Sequence, residues 1–464
     1  MQIWTATAKA LLAAASLAVL AACGGERSVE PTATPVAAKP SDDPAWPSAA
    51  VPDASTLGFS AEGLAALDAR MAQSVADQDV AGMVTLLSKG GEVIQYKAYG
   101  VQSGDAKTGA PMTLDSVFRI YSMTKPVTGI AMMQLYEQGK WQLDDPVTKF
   151  APELANLKLM TGVKDGKPVL GEPKRVPTMR EIMSHTAGFG YGISGDDPVN
   201  TAFRDKNVLA SKDLADMMSK IVTIPLLYEP GERWSYSVSV DIQGYIVEKL
   251  TGQKLGDYFR TNIFDPLGMS ETAFFVSEAQ KPRLTDVYAW NKDASALAVN
   301  PERQDRPSYT DPNRMQSGGG GLVSTTHDYA RFCQMLLNKG TLNGKQVLKP
   351  ESLALMVENH IGELGLYSDG TNANPGQPGI KFGLDFAVVE DPAAANTQQG
   401  KGTFYWGGAA GTWFWIDPAN DLFFVGMIQR MGNARPGGMD FRTASSKLTY
   451  DALDIPSPTA TSAQ

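Results

Sequence analysis

The sequence predicts an α/β (α+β) fold in which strands from both ends of the chain build one sheet around an inserted helical region. Two β-rich runs, GMVTLLSK and EVIQYKAYG, lie near the front, and Lys89–Glu92 between them has the composition of a hairpin turn. Strand-like runs return after residue 380, in KFGLDFAVVED, GTFYWGGAAGTWFWI and LFFVGMIQRM. Short helical segments and loops separate the two groups. We therefore expect an α/β part at about 56–140 and 375–454, and a mostly helical region at about 141–374.

Length and charge narrow the class of protein further. The chain has 464 residues, which exceeds the usual size of one domain, so one large composite unit or two domains are expected. Its 41 Lys and Arg against 50 Asp and Glu give a net charge of −9 at pH 7. Because the chain has no basic field to collect phosphates, the composition argues against a nucleic-acid partner.

The N-terminus has the features of a secreted lipoprotein. Residues 1–22 combine Lys9 near the front with an apolar stretch too short to span a bilayer, as in a signal peptide. The run VLAAC ending at Cys23 resembles a bacterial lipobox, whose cysteine becomes lipidated; an ordinary signal peptide is the alternative. No Asp follows Cys23 directly, which favours the outer membrane. We expect a lipid-anchored protein of the bacterial cell envelope that faces the periplasm.

The segments on either side of the body lack the pattern of a folded core. Residues 23–55 are rich in Pro, Ala, Ser and Thr and have no apolar periodicity, which predicts a flexible tether after the lipidated cysteine. The body is expected at 56–454 and a disordered tail at 455–464. Once Cys23 is acylated only Cys333 remains, so no intramolecular disulfide can form.

Helical signals can be placed along the body. Leu64, Leu67 and Met71 share one stripe of a helix near the front. Thr178 and Glu181 form a T-x-x-E capping box at the start of a second helix. The run FRTASSKLTYDAL predicts a closing helix near the end of the body.

A further helix, predicted from about Ser122 to Gly139, contains a lysine in an apolar run. Pro126 is tolerated there because backbone N–H groups in the first helical turn lack intrahelical acceptors. Burying the Lys125 ammonium is unfavourable unless it is paired or loses its proton. At a spacing of i, i+3, Lys125 lies beside Ser122, and a neutral amine can remove the proton that keeps a serine from acting as a nucleophile. S-x-x-K is weak evidence alone, but it occurs once in this chain and opens an apolar helix.

Six segments together resemble the class C β-lactamase-like serine hydrolases. They occur in the family's order over about residues 60–450: YSMTKPVTG, EIMSHTAGFGYG, YEPGERWSYSVSVDIQGYIVEKLTG, FDPLGM, GGGGLVSTTHDYARF and YWGGAAGTWFWIDP. The resemblance implies a β-lactamase/transpeptidase-like fold with an antiparallel sheet flanked by helices. Within that superfamily the details are most similar to family VIII carboxylesterases.

The resemblance implies three catalytic side chains. Ser122 corresponds to the nucleophile, Lys125 to a helper base, and Tyr236 in WSYSVSVD to a second base that later protonates the leaving group. A lysine beside a phenol is expected to lower the pKa of the tyrosine toward neutrality. Without the resemblance, Tyr236 would be interpreted as a half-buried core ring, one of 15 tyrosines.

The segment YWGGAAG implies the rest of the site through the same resemblance. In the family this strand lies beside the nucleophile helix, and the backbone N–H groups of Ser122 and Ala409 would form the oxyanion hole. Trp406, Gly407 and Gly408 are expected to contact the substrate, since glycines allow it to approach the strand closely. A glycine-rich bulge in an ordinary strand is the alternative.

Departures from the β-lactamase pattern favour an ester substrate. β-Lactamases and penicillin-binding proteins carry K-T-G on this strand. Here Trp406 leads the motif, and Val238 stands where such enzymes often have Asn. The missing lysine removes a cation for a substrate carboxylate, and an aromatic wall suits an uncharged acyl or alkoxy group. The sequence therefore predicts a serine carboxylesterase that acts on a small-molecule ester without a metal or cofactor.

Other motifs in the chain are interpreted as structural. Lys107–Gly109 spells K-T-G but precedes Ser122, so chain order makes it a turn. G-x-G-x-x-G at Gly190–Gly195 follows a helix instead of a strand, and Ser317–Gly321 lacks the lysine of a phosphate loop, which leaves a tight turn bordering the cleft. His185 is expected to make structural hydrogen bonds, and the three histidines share no metal-ligand spacing.

Three other functions remain open at this point. The same site could act on amides, as a β-lactamase, a D-amino-acid peptidase or a small-peptide hydrolase. The acyl-enzyme could also pass to an alcohol, in an acyltransferase. A non-catalytic lipoprotein that binds peptidoglycan is the third, and the intact Ser122, Lys125 and Tyr236 argue against it. The physiological ester, its chain length and the oligomeric state do not follow from the sequence.

Overall fold

The computed structural model describes residues 45–47, 50–51, 53–193, 195–291, 293, 295–301, 307–367, 376–432 and 438–453. The predicted signal peptide at 1–22, Cys23 and the predicted tail at 455–464 lie outside the described residues. So does most of the predicted tether.

The helices include the four that the sequence pattern predicts. They are α1 (Ala61–Ala76), α2 (Thr124–Glu137), α3 (Met179–Met183), α4 (Pro198–Asp205), α5 (Leu214–Ile221), α6 (Ser239–Thr251), α7 (Leu255–Phe259), α8 (Asp265–Leu267), α9 (Thr326–Leu337), α10 (Pro350–Met356) and α11 (Phe441–Ala452). A π-helical turn, Arg260–Phe264, joins α7 to α8. Within the described ranges, every helix is too short or too polar to cross a bilayer.

Strands from both ends of the chain meet in one antiparallel sheet, as predicted. The strands are β1 (Gly82–Lys89), β2 (Glu92–Ser103), β3 (Ala110–Pro111), β4 (Phe118–Arg119), β5 (Leu159–Lys164), β6 (Lys167–Gly171), β7 (Tyr288–Trp290), β8 (Leu297–Val299), β9 (Val323–Ser324), β10 (Thr341–Leu342), β11 (Lys345–Gln346), β12 (Ile380–Phe382), β13 (Ala387–Val389), β14 (Phe404–Gly407), β15 (Trp413–Asp417), β16 (Leu422–Ile428) and β17 (Arg430–Met431). In the described residues the large sheet has eight strands, in the order β12-β13-β14-β15-β16-β1-β2-β3.

The front and the end of the chain are joined in the middle of this sheet. β1 pairs on one side with β2, through the predicted hairpin, and on the other with β16. The register of the second pair runs from Met83 opposite Ile428 to Lys89 opposite Leu422. Both strands are apolar and buried along nearly their whole length, as expected for a sheet covered on both faces.

Side-chain alternation along β15 shows which helices cover the two faces. Trp413 and Trp415 point toward α11, where both indole N–H groups donate to the Ser445 hydroxyl at 3.0 and 3.3 Å. Phe414 points the other way and packs on Tyr329 of α9, with ring centroids 5.3 Å apart. Thus α9 lies in the predicted inserted region of the sequence but packs directly on the sheet.

One predicted helix start is confirmed, and another is shifted by two residues. The Ser60 hydroxyl caps α1 by accepting from the backbone N–H of Gly63. Thr178 and Glu181 form both hydrogen bonds of a capping box at α3. The α-helix predicted from Ser122 begins instead at Thr124, because the residues before it form a 3-10 turn, Tyr121–Met123.

The described part of the predicted tether packs on the body. The Trp46 side chain is 4% exposed and lies against Phe423, with ring centroids 6.3 Å apart. The Trp46 carbonyl accepts from the guanidinium of Arg331, and the backbone N–H of Val51 donates to the carbonyl of Val93 at 2.8 Å. This stretch differs from the flexible segment that we predicted, because one aromatic ring anchors it and composition does not reveal such a contact.

Candidate active site

The predicted nucleophile lies at the entrance of a buried helix. Ser122 is the middle residue of the 3-10 turn Tyr121–Met123, between the short strand β4 and α2. Tyr121 before it has a positive φ of 43°, a strained conformation for a non-glycine residue. Ser122 is half-buried, and its Oγ lies 3.4 Å from the Nζ of Lys125 in the first turn of α2. The structure therefore brings Ser122 and Lys125 together at hydrogen-bond distance.

The Lys125 amine is enclosed by polar atoms and aromatic rings. Only 1% of the residue is exposed. Its Nζ donates to the carbonyl of Gly319 at 2.6 Å and lies 3.1 Å from the Tyr191 hydroxyl. It also faces the ring of Tyr236, 4.6 Å from the centroid. These contacts leave the amine without access to bulk water.

Burial changes the charge state of this lysine. It lowers the pKa of Lys125 to about 8, while the nearby carboxyls of Asp241 and Asp385 raise it. A substantial fraction of the amine is therefore neutral in mildly alkaline solution. This agrees with the interpretation that Lys125 acts as a base.

Tyr236 completes the predicted group of catalytic side chains. It lies just before α6. Its ring packs between Tyr191, His185 and Trp406, with centroids 5.4, 4.9 and 5.5 Å away. A hydrogen bond with Ser122 favours its ionised form, and so does the indole N–H of Trp406, which donates to the Tyr236 hydroxyl at 3.4 Å. The hydroxyl thus lies beside both the nucleophile and the predicted substrate-binding strand.

The protonation state of Tyr236 corrects one expectation from the sequence. We expected Lys125 to lower the pKa of this tyrosine, but burial raises it, and the carboxyls of Asp241 and Asp385 add to the rise. The hydrogen bonds from Ser122 and Trp406 oppose this effect without overcoming it. In the substrate-free site Tyr236 is therefore a phenol that can donate a proton, and Lys125 is the better base.

His185 has the structural role that we predicted for it. Its Nδ1 lies 3.0 Å from the Ser237 hydroxyl, and its backbone carbonyl accepts from Ser235 at 2.8 Å. Complete burial and the neighbouring Lys125 keep the pKa of His185 well below its usual range, so the ring is neutral. These bonds hold both residues that flank Tyr236.

The predicted oxyanion strand lies against the nucleophile segment. After β14 the chain turns at Gly408–Gly411 into β15, and the Thr412 hydroxyl donates to the carbonyl of Ile120 at 3.3 Å. A Cβ placed on Gly408 would collide with that carbonyl oxygen and with the Thr412 side chain. Glycine is therefore required for this close approach of the turn to Ile120, and Ala409 in the same turn is exposed.

Aromatic side chains line the site beside the strand. Trp406 is 6% exposed and packs edge-on against Phe382, with centroids 5.4 Å apart. Gly407 is half-buried at the end of β14. Tyr367, which is about half exposed, contacts Trp234 at a centroid distance of 4.7 Å. Such a wall favours an uncharged group in the cleft.

Two segments that the sequence analysis set aside also reach the site. Tyr191 belongs to the Gly190–Gly195 motif, and Gly319 belongs to the Ser317–Gly321 turn, which was predicted to border the cleft. Both contact the Lys125 amine. A third residue near the amine, Asp241, was missed, although a carboxylate in the apolar run SVSVDIQGYIV was a visible signal of a buried charge.

Within the described ranges, no group of three or more His, Cys, Asp or Glu side chains is arranged to hold a metal ion. The chemistry available from the described side chains is that of a serine, an amine and a phenol. With an acyl substrate, the serine can attack the carbonyl carbon to form an acyl-enzyme, while the amine and the phenol transfer the protons.

Comparison with known proteins supports this chemistry. The family model described as Beta-lactamase matches residues 67–448. Protein Rv1367c of Mycobacterium tuberculosis is 33% identical over 399 residues, covering 81% of this chain and 96% of that protein. Esterase EstB of Burkholderia gladioli is 30% identical over 390 residues, covering 80% of this chain and 91% of the esterase. The solved structure of EstCE1, described as a hydrolase with promiscuous acyltransferase activity, has a TM-score of 0.68 and 26% identity, covering 84% of this chain and 99% of that one.

Proposed function

Since this chain belongs to the beta-lactamase family, we propose that it cleaves carboxylic esters through an acyl-enzyme formed on Ser122. The family and its relatives indicate a serine hydrolase or acyltransferase. That the substrate is an ester is our proposal, and so is the closer likeness to family VIII carboxylesterases. Similarity to a named esterase supports both.

The proposal that the substrate is an ester rests on the surface beside the nucleophile. Trp406 stands where K-T-G enzymes carry a lysine, and its ring contacts Tyr236 and Phe382. An indole cannot pair with a substrate carboxylate, but it can pack against an acyl or alkoxy group. An uncharged ester therefore fits this wall better than an anionic β-lactam.

Acylation begins with proton removal from Ser122. Neutral Lys125 takes the hydroxyl proton while the Ser122 Oγ bonds to the ester carbonyl carbon. The carbonyl oxygen becomes an oxyanion, which the backbone N–H groups of Ser122 and Ala409 stabilise. Tyr236 then protonates the departing alkoxide as its bond to the carbonyl carbon breaks, and the Lys125 ammonium returns a proton to the phenolate.

Deacylation repeats these transfers with water. The amine takes a proton from the attacking water, whose oxygen bonds to the acyl carbon. The bond to the Ser122 Oγ breaks next, and the serine oxygen takes a proton from the Lys125 ammonium, which returns the amine to its neutral form. The products are a carboxylic acid and the free enzyme, so atoms and charges balance across the cycle.

A side-by-side comparison of hydrolysis rates tests the proposed preference for esters. The chain from residue 24 onward, which keeps Trp46, is assayed with p-nitrophenyl acetate, butyrate and octanoate against nitrocefin and a D-Ala-D-Ala peptide. We expect the esters to be hydrolysed fastest, and Ser122→Ala to reduce the rate to background. If nitrocefin or the peptide is the best substrate, the argument from Trp406 is wrong and the protein is an amide hydrolase.

Product analysis separates hydrolysis from acyl transfer. The same esters are incubated with a short-chain alcohol, and the free acid and the new ester are quantified. Hydrolysis predicts mainly the acid. A predominant new ester would make the protein an acyltransferase with the same acyl-enzyme.

We also propose that Cys23 carries the lipid anchor of a cell-envelope enzyme. The lipobox-like run before it supports this. Growth with a clickable palmitate analogue should label the wild-type protein, and Cys23→Ala should abolish the label and release the protein from the membrane fraction. A labelled Cys23→Ala variant would contradict the proposal.

A further inference from the structure

The hydrogen-bond partners of the Lys125 amine differ in whether they can donate as well as accept. The Gly319 carbonyl, 2.6 Å away, can only accept a hydrogen bond. The hydroxyls of Tyr191, at 3.1 Å, and Ser122, at 3.4 Å, can each donate or accept. The direction of the bond to Ser122 therefore depends on what Tyr191 does.

Asp241 fixes the direction of the Tyr191 hydroxyl. This buried carboxyl in the first turn of α6 accepts from the Ser317 hydroxyl and from the backbone N–H of Gly319 at 3.1 Å. Burial raises the pKa of Asp241, whereas Lys125, the Ser317 hydroxyl, the Gly319 N–H and the neighbouring Tyr191 hydroxyl lower it. When this carboxyl is ionised it only accepts, so the Tyr191 proton points to Asp241 and the Tyr191 oxygen is left to accept from Lys125.

The same carboxyl also fixes the Gly319 carbonyl. Asp241 holds the backbone on the N-terminal side of this carbonyl, and a Cβ at Gly319 would collide with the carboxyl and lie 2.8 Å from the Tyr191 hydroxyl. The turn Ser317–Gly321 is thus seated directly on Asp241. The Asp241 side chain therefore orients both groups that accept a hydrogen bond from the Lys125 amine.

A count of hydrogens gives the consequence. A neutral amine has two N–H groups and one lone pair. One N–H donates to Gly319 and the other to Tyr191, so the lone pair is left for the hydroxyl of Ser122. Reversing the bond to Tyr191 would turn an N–H of the amine toward Ser122 and stop the amine from accepting the serine proton.

We propose that Tyr191 and Asp241 are positioning residues that direct the lone pair of Lys125 at the Ser122 hydroxyl. The inference rests on the proposed role of Ser122 as nucleophile. It goes further by assigning roles to two side chains other than Ser122, Lys125 and Tyr236. The charged and titratable groups that face the amine are Tyr191, Tyr236, Asp241, Asp385 and the neutral His185.

Two variants test this with little change in shape. Tyr191→Phe keeps the ring that packs on Tyr236 and removes only the hydroxyl. Asp241→Asn keeps one oxygen for Ser317 and Gly319 but turns an N–H₂ group toward Tyr191, which reverses that bond. The readout is the rate of labelling by a fluorophosphonate probe across pH 6–10. This probe reports on Ser122 whichever acyl substrate the enzyme prefers.

We expect two coupled changes in each variant. The maximal labelling rate falls about 10- to 100-fold, because the lone pair is no longer held toward Ser122. The midpoint of the pH profile moves to lower pH, because each change removes a group that stabilises the ammonium form of Lys125. Loss of folded protein alone would lower the amplitude and leave the midpoint unchanged.

Tyr245→Phe is the matched control. Tyr245 lies on the same helix as Asp241 and donates to a carboxylate, Glu153, at 2.7 Å, in the same kind of bond. This variant should label at the wild-type rate with the wild-type midpoint.

The outcomes are distinguishable. Wild-type labelling with unchanged rate and midpoint in both variants would overturn the inference and leave the proposed function intact. A wild-type protein that does not label at Ser122 would overturn both. Hydrolysis of nitrocefin in place of esters would overturn only the proposed substrate.

Discussion

Burial is the largest influence on the Lys125 amine and lowers its pKa to about 8, against the carboxyls of Asp241 and Asp385. The same burial raises the pKa of Tyr236, so the two groups respond in opposite ways to exclusion of water. The amine becomes an acceptor of protons and the phenol becomes a donor. The same buried environment thus favours proton acceptance by Lys125 and proton donation by Tyr236.

This difference predicts how the ester hydrolysis rate depends on pH. Lys125 must be neutral to accept the Ser122 proton, and its neutral fraction rises with pH through its pKa. We therefore expect kcat/KM for p-nitrophenyl butyrate, corrected for spontaneous hydrolysis, to rise from pH 6 and level off with a midpoint near pH 8. Well below that midpoint the rate should fall about tenfold for each pH unit.

Lys125→Arg is the control for this profile. Arginine keeps a positive charge throughout the accessible range, so it cannot act as the base. Its activity should stay at background from pH 6 to 10. A flat wild-type profile, or activity in the arginine variant, would rule out Lys125 as the titrating base.

Among the elements, the turn between β14 and β15 depends most on one small residue. Gly408 touches the Ile120 carbonyl, and Thr412 hydrogen-bonds to that same oxygen. The turn is therefore held against the segment that leads into Ser122. If Ser122 and Ala409 supply the oxyanion hole, as we propose, this contact sets the distance between their N–H groups.

Gly408→Ala should separate activity from stability. The added methyl group pushes the turn away from Ile120, and a shift of about 1 Å at a catalytic donor lowers the rate about 100-fold. Ester hydrolysis and the thermal unfolding midpoint are measured together. We expect a large loss of kcat and a small change in the midpoint.

Gly162→Ala provides the comparison for that variant. Gly162 lies in the hairpin strand β5, and a Cβ there would meet nothing within 4 Å. Its activity and unfolding midpoint should match the wild type. Equal activity in the Gly408→Ala variant would show that the turn tolerates displacement.

Local patterns in the sequence predicted individual helices and strands, but they did not predict the contacts between distant segments. The hairpin after β1, the capping box of α3 and the pair Ser122–Lys125 each depend on neighbours within a few residues. The contacts of Lys125 with Tyr191 and Gly319 join residues 66 and 194 positions apart. No periodicity reports on such distances, so the sequence predicted the Ser317–Gly321 turn at the border of the cleft but not the contacts of Tyr191 and Gly319 with Lys125.

At the scale of the whole molecule, the two ends of the body close on each other. The backbone N–H of Ser60, which caps α1, donates to the carbonyl of Ala452 in α11 at 2.9 Å. Gly63 packs so closely on Ala452 that a side chain there would collide. α11 also supplies the hydroxyl that satisfies Trp413 and Trp415.

Removal of α11 should therefore unfold the body. A chain ending at residue 437 loses the buried Phe441 and Tyr450, each worth roughly 1.5–3 kcal/mol of burial, and leaves two indole N–H groups of β15 unpaired. That is a large part of a typical stability of about 5–15 kcal/mol. We expect insoluble protein, or no cooperative melt by circular dichroism.

A chain ending at residue 454 is the control for this truncation. It lacks only the predicted tail and should melt and hydrolyse esters like the full chain. Soluble and active protein ending at residue 437 would show that the sheet does not need α11.

The pairing of β1 with β16 has a consequence for synthesis of the chain. Met83 lies opposite Ile428, which is 428 − 83 = 345 residues later. At about 5–20 residues per second, the ribosome needs roughly 17–70 s to supply this partner. During that interval one edge of the apolar β1 has no strand beside it and can pair with another nascent chain. The central sheet can close only after almost the entire polypeptide has been made.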